Sequence, residues 1–181
     1  MVRLASAIAV VLVSPLVAAA YGALHDQVTY TLSPEYYTHL KFDQFRIPAG
    51  MHDRVGVALV GVLATWWVGP PIGLCLAPFL ALRRPAQRAP WRTGLARVGA
   101  ALATVIGVAA LCGALGYALG RPLAPTQEAA AALTPTGVTD PIAYLRVGSM
   151  HNASYLGGAL GLVVAMGRQV VALWRERRQS A

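Results

Sequence analysis

Four long stretches without a fixed charge determine what this chain can fold into. A transmembrane helix needs about 20 mostly apolar residues at a rise of about 1.5 Å per residue. The predicted spans cover residues 4–24, 55–82, 98–120 and 147–170, and the last is free of charge up to Gly167. Only 12% of the chain is charged, whereas a soluble domain is about 25% charged. We therefore predict an all-α membrane protein, a single antiparallel bundle of four transmembrane helices over residues 1–181.

Basic residues are distributed unevenly between the two sides of these spans. The N-terminal end, the 83–97 loop and the 168–181 tail hold ten Lys and Arg residues, and their only acid is Glu176. The outer segments 25–54 and 121–146 hold five basic and six acidic residues. Short cytoplasmic loops are enriched in Lys and Arg. The sequence thus predicts a multi-pass protein of the bacterial inner membrane with both termini in the cytoplasm.

The net charge of +8 and the N-terminal residues each allow a second interpretation. No basic stripe is interleaved with aromatic residues, so membrane lipids are the predicted partner of the Arg residues and nucleic acid is not.

The first span also has the features of a cleaved signal peptide, with Arg3 before an apolar core and small residues at 18–20. Because the apolar stretch continues to Leu24, we favour an uncleaved anchor.

Start and stop signals predict local structure around the spans. Ser33-Pro34-Glu35 is a helix-start pattern, which predicts a partly helical outer segment lying at the membrane surface. Asp140-Pro141 is a second such pattern, and it predicts that the fourth helix begins before the membrane. The second span is long enough either to tilt in the membrane or to bend at Gly69-Pro70-Pro71, where proline interrupts helical hydrogen bonding.

Small residues recur at helical spacing in the third and fourth spans. They are Ala109, Gly113, Gly116 and Gly120 in one span, and Gly157, Gly158 and Gly161 in the other. Small residues allow transmembrane helices to approach closely. We predict tight helix packing along these two faces.

The histidines are the residues with the clearest chemical potential. All four lie on the predicted outer side, and three mark the ends of different spans. The candidate metal-ligating residues are His25, His52, His151, Asp26, Asp53 and Glu35. Imidazole and carboxylate ligands suit Cu, Zn and Fe, and two axial histidines could hold haem b. The competing interpretation is that these are interfacial polar residues that satisfy one another, because no established metal-binding spacing is present.

The segments His25-Asp26-Gln27-Val28-Thr29-Tyr30 through Tyr37 and Met150-His151-Asn152 through Gly158 resemble a small family of bacterial inner-membrane proteins with no assigned activity. The resemblance implies a membrane protein and supplies no catalytic residues. Since no strong catalytic motif is present, the sequence favours a non-enzymatic assembly or interaction component that meets another membrane or periplasmic protein. The alternative is a metal- or haem-binding membrane protein, a redox or hydrolytic enzyme with an outward-facing His/carboxylate cluster.

Overall fold

The computed structural model describes residues 1–84, 89–120 and 126–179, and these residues form helices and connecting turns without a β-strand. The α-helices are α1 (Val2–Leu32), α2 (Phe42–Gln44), α3 (Arg54–Thr65), α4 (Gly69–Leu82), α5 (Pro90–Leu119), α6 (Gln127–Ala131) and α7 (Pro141–Arg178). Four segments are long and apolar enough to cross a membrane: Arg3–Leu32, Arg54–Leu82, Pro90–Leu119 and Pro141–Arg178. The predicted bundle of four transmembrane helices is therefore confirmed.

The first helix continues well past the end of its predicted span, and the fourth helix begins well before the start of its predicted span. Helix α1 continues to Leu32, so His25 and Asp26 lie inside a helix and not in a loop. Helix α7 begins at Pro141, and the Asp140 side chain caps it by accepting a hydrogen bond from the Ala143 amide at 3.1 Å. This confirms the predicted early start of the fourth helix. Both extensions place polar residues on rigid helical backbone.

The second membrane segment is interrupted slightly earlier than predicted. Helix α3 ends at Thr65, a 3₁₀ turn covers Trp66–Val68, and α4 begins at Gly69. Pro70 and Pro71 fall in the first turn of α4. Proline is tolerated there because the first helical amides have no partner within the helix. The interruption therefore lies just before the prolines.

The helices pack as two pairs, α1 against α3 and α4, and α5 along α7. In the first pair the backbones meet at Gly61, where an added Cβ would lie 2.3 Å from the Gly22 carbonyl oxygen. In the second pair, an added Cβ at Gly157 would lie 2.9 Å from Ala109 Cα. Gly158 has no such neighbour within 4 Å. The predicted close packing is confirmed for Gly157 but does not involve Gly158.

One end of the bundle, which we call the Arg end, is tied together by Glu176 of α7. Its Oε1 accepts hydrogen bonds from Arg83 Nε at 2.7 Å and from Arg97 Nη2 at 3.3 Å. Its Oε2 accepts the backbone N–H of Arg84 at 3.0 Å. Because these partners follow α4 or belong to α5, one carboxylate joins three membrane segments.

The opposite end is covered by residues 33–53, which we call the cap. Residues 35–44 are helical and include a π-helical turn at Tyr37–Lys41, so the segment is partly helical as predicted. Three of its aromatic residues, however, are directed into the bundle. Tyr36, Tyr37 and Phe42 are buried among Val57, Val60, Tyr144 and Val147. Burial of these rings between α3 and α7 fixes the cap on the bundle.

Glu35 joins the cap to the start of α7, and we expect Glu35→Gln to weaken this connection. Glu35 Oε1 accepts hydrogen bonds from the Thr139 N–H and hydroxyl, each at 2.8 Å, and Oε2 accepts the Asp140 N–H at 3.0 Å. These bonds, chiefly the backbone ones, lower the pKa of Glu35. An amide cannot accept all three, so the free energy of unfolding should fall by about 1 kcal/mol.

The pH dependence of this contribution follows from the lowered pKa. The stabilisation is complete above the ordinary Glu pKa of about 4.3 and is lost as the pH falls through the lower folded-state value. Thermal unfolding of the wild type and Glu35→Gln should therefore differ at about pH 6 and converge near pH 3. Glu128→Gln in the exposed helix α6 is the control. A constant difference across this range would contradict the role of the Glu35 charge.

Candidate metal centre

Three metal-ligating side chains, His25, Asp26 and His151, come together between α1 and α7. One ligand atom from each lies within 4.8 Å of the other two. His151 Nε2 lies 3.7 Å from Asp26 Oδ1, and the His25 and His151 ring centroids are 5.0 Å apart. Asp26 and His151 are only 5% and 4% exposed. The group is thus a compact interior cluster near the cap.

Helix packing explains why these residues meet. His25 lies one turn beyond Gly22, where α1 crosses α3 closely. His151 is a buried residue of α7, and its ring contacts the His25 ring of α1 and the Tyr36 ring of the cap. On α5, an added Cβ at Gly113 would lie 3.7 Å from His25 Cε1. Small residues on neighbouring helices therefore leave the space that the two imidazoles occupy.

Several polar atoms of the cluster are buried without a hydrogen-bond partner among the described residues. These atoms are His25 Nε2, Asp26 Oδ2 and both ring nitrogens of His151. A buried polar atom without a partner costs about 1–3 kcal/mol, and native proteins rarely leave several side by side. The donor set is therefore suited to binding a further species, and its imidazole and carboxylate groups could hold a metal ion.

Hydroxyl and aromatic groups surround the cluster. The Tyr36 ring stands edge-on to His151, with centroids 5.0 Å apart. Tyr21 and Ser154 form a hydroxyl pair, with their oxygens 2.7 Å apart. The Tyr37 hydroxyl donates to the Asp26 carbonyl oxygen at 3.2 Å. These contacts fix the backbone and rings around the cluster but leave its ligand atoms available.

A cavity of about 90 Å³ adjoins the cluster. Among the residues that line it are His25, Asp26, His151, Tyr21, Ser154 and Gly158. It could hold about three water molecules at about 30 Å³ each. Pockets for large ligands have volumes of about 300–1,000 Å³, so the residues here do not fit haem b, which was one of the cofactors considered from the sequence.

The other three candidate ligands lie elsewhere with partners of their own. His52 Nε2 is 3.0 Å from the Ile47 carbonyl oxygen, and its ring stacks on Phe42 at 4.3 Å. Asp53 Oδ1 caps α3 by accepting the amides of Val55 and Gly56. Glu35 holds residues 139 and 140. Nearby backbone groups thus engage all three, and the structure brings together His25, Asp26 and His151 only.

Sequence reasoning missed Tyr21 and Lys41 as neighbours of the cluster. Tyr21 precedes His25 by four residues, a spacing that places both on the same helix face, so this signal was available. Lys41 is buried through the π-helical turn at Tyr37–Lys41. Such turns are rare, and no local pattern in the sequence predicted this one.

Neither a protein-family model, nor a curated protein, nor a solved structure matches this chain. The geometry of the cluster is therefore the main guide to the function of this chain.

Proposed function

We propose that this chain is a bacterial inner-membrane protein that binds a divalent transition-metal ion through His25, Asp26 and His151. The observation that carries the proposal is the convergence of two buried ligand groups, Asp26 and His151, with the half-buried His25; several polar atoms of these three side chains lack hydrogen-bond partners among the described residues. Nearly fully buried imidazole and carboxylate side chains are costly to desolvate. A bound cation would compensate the negative charge of the carboxylate and would be coordinated by the unpaired imidazole nitrogens.

The donor set indicates which ions are suitable. Two histidines and one carboxylate occur at zinc sites that keep an open position and at non-haem iron sites. Ligand atoms around a tetrahedral zinc ion are about 3.4 Å apart at bond lengths near 2.1 Å, and the observed separations are within 4.8 Å. Changes in side-chain dihedral angles that move the ligand atoms by about 1 Å would bring them to the separation that zinc requires. The adjoining cavity would leave a coordination position for water or a small substrate.

The charge distribution supports an orientation with the cap on the periplasmic side. Arg146 and Arg168 are 22 residues apart on α7, which corresponds to about 33 Å and is close to the hydrocarbon thickness of about 30 Å. His151 is then about 8 Å inward from Arg146 along the helix. In this orientation the ion enters from the periplasm, and both termini are cytoplasmic.

Metal analysis of protein purified without a metal-affinity tag tests this proposal. After loading with Co²⁺ and removal of excess, we expect about one ion per chain in the wild type, with a visible d–d absorption spectrum. His151→Ala and Asp26→Asn should lose the ion, whereas His52→Ala and His39→Ala should keep it. Helical circular dichroism confirms that each variant is folded.

Two results would contradict the proposal. One is a wild type that takes up no Co²⁺ and no Zn²⁺. The other is equal loss of the ion in His52→Ala and His151→Ala. If the chain binds no ion, the function favoured by the sequence is the better explanation. The protein would then be an assembly or interaction component whose partner is another membrane or periplasmic protein.

A further inference from the structure

A second, larger cleft lies beside the cap, between the cap, the junction of α3 and α4, and α7. Its volume is about 760 Å³. Aromatic side chains form much of its wall: Tyr36, Phe45, Trp67 and Tyr155. Trp67 and Tyr155 are 57% and 47% exposed on the outside of the bundle, at a level where lipid surrounds the helices. The cleft therefore opens sideways toward the membrane.

The cleft contains a buried cation, Lys41. This residue is only 7% exposed, and its ammonium lies 5.6 Å from the ring centroids of both Tyr36 and Phe45. Among the described residues the ammonium group has no hydrogen-bond partner and no salt bridge. Burial lowers the pKa of Lys41, and the negative charge of Asp26 partly opposes this effect. The Lys41 residue is largely buried and interacts electrostatically with Asp26 without forming a salt bridge to it. The cleft therefore presents a cation with which an anionic ligand can pair.

Two side-chain amides extend the polar part of the cleft. Gln44 of the cap and Asn152 of α7 line it together with Lys41. Asn152 is exposed on the outside of α7, about 9 Å inward from Arg146 along the helix. An exposed amide at that depth is unusual on a lipid-facing surface, since polar residues there normally face the bundle interior. Its position corresponds to the boundary between lipid headgroups and acyl chains.

We propose that this cleft binds an anionic glycerophospholipid, with Lys41 paired to its phosphate and Gln44 and Asn152 donating hydrogen bonds. The ammonium and amide donors match phosphate oxygens. The aromatic and aliphatic walls match the glycerol backbone and the first acyl carbons, which a free phosphate ion lacks. A lipid is therefore the occupant that uses both parts of the cleft. The cleft adjoins the proposed metal centre, since Val68 and Tyr155 line both cavities, but none of the three proposed metal ligands lines it.

Lipid retention in nanodiscs and native mass spectrometry test this inference. The protein is reconstituted in phosphatidylcholine with or without phosphatidylglycerol, transferred to detergent and weighed with its bound lipid. We expect the wild type to retain phosphatidylglycerol in preference to phosphatidylcholine. Lys41→Met should reduce this retention about tenfold, while Lys41→Arg should preserve most of it. Inorganic phosphate at millimolar concentration should not displace the lipid.

Arg46→Met is the matched control, because it removes a cation of the cap that does not line the cleft. Methionine is apolar and similar in length to lysine, so Lys41→Met removes the buried charge while keeping the packing. Asn152→Leu provides a second variant on a different helix and should also reduce retention. Equal retention by the wild type and Lys41→Met would overturn the inference, as would displacement by inorganic phosphate or equal retention of phosphatidylcholine.

Discussion

Replacing Gly61 with alanine should destabilise the protein, whereas the same replacement at Gly107 should not. An added Cβ at Gly61 would lie 2.3 Å from the Gly22 carbonyl oxygen and 2.6 Å from the Ala23 nitrogen. Both are backbone atoms, so α1 and α3 must separate. Overpacking costs about 1–3 kcal/mol, which exceeds the helix-propensity gain of about 1 kcal/mol. At Gly107 nothing lies within 4 Å of the added Cβ. The Gly107→Ala variant should therefore gain the helix-propensity stabilisation without an overpacking cost.

Thermal unfolding in detergent compares the two variants directly. Because His25 lies one turn beyond Gly22, Gly61→Ala should also weaken Co²⁺ binding, while Gly107→Ala should leave it unchanged. Equal unfolding midpoints for the two variants would show that the α1–α3 crossing adjusts freely. That result would contradict the close backbone contact described above.

Removal of the metal ion should lower the thermal stability of the wild type. A ligand present at 100 times its Kd stabilises the folded state by about 2.7 kcal/mol. For a chain of this size that corresponds to about 5–10 °C in Tm. We expect a chelator to produce this shift in wild-type protein loaded with Co²⁺ and in His52→Ala, but not in His151→Ala.

The chelator experiment has a clear contradictory outcome. If loaded wild-type protein unfolds at the same temperature with and without chelator, the ion does not bind the folded bundle in preference to the unfolded chain. If His151→Ala shifts as much as the wild type, the ion binds at a different place. Either result would contradict the proposal that His151 binds the ion in the folded protein.

The sequence predicted the membrane helices well because long apolar stretches have few alternatives in a bilayer. It predicted the start of α7 because Asp140 and Pro141 have direct roles in helix initiation. It missed the end of α1, since fixed charges mark the edge of the membrane and not the end of a helix. Helix α1 ends at Leu32, and the extended conformation of the next residue, Ser33, suits the position before a proline.

The candidate site was only partly predictable from the sequence. The meeting of His25 and His151 followed from their positions at the same end of two spans. The capping role of Asp53 at the start of α3 was readable from the sequence but was not recognised. The sequence could not show that His52 and Glu35 have closer partners, because those partners are in irregular segments. It could not show the burial of Lys41 either, since that depends on a π-helical turn and on the way the cap folds over the bundle.

The arrangement of the helices in two pairs has a consequence for biogenesis. His25 and Asp26 belong to the pair that is synthesised first, and His151 belongs to the second pair. If the second pair were inserted upside down, His151 would lie on the opposite side of the membrane from its partners. Under the proposed function, such a chain could not hold the ion. Metal occupancy would then report that both halves have been inserted with the correct topology and have docked.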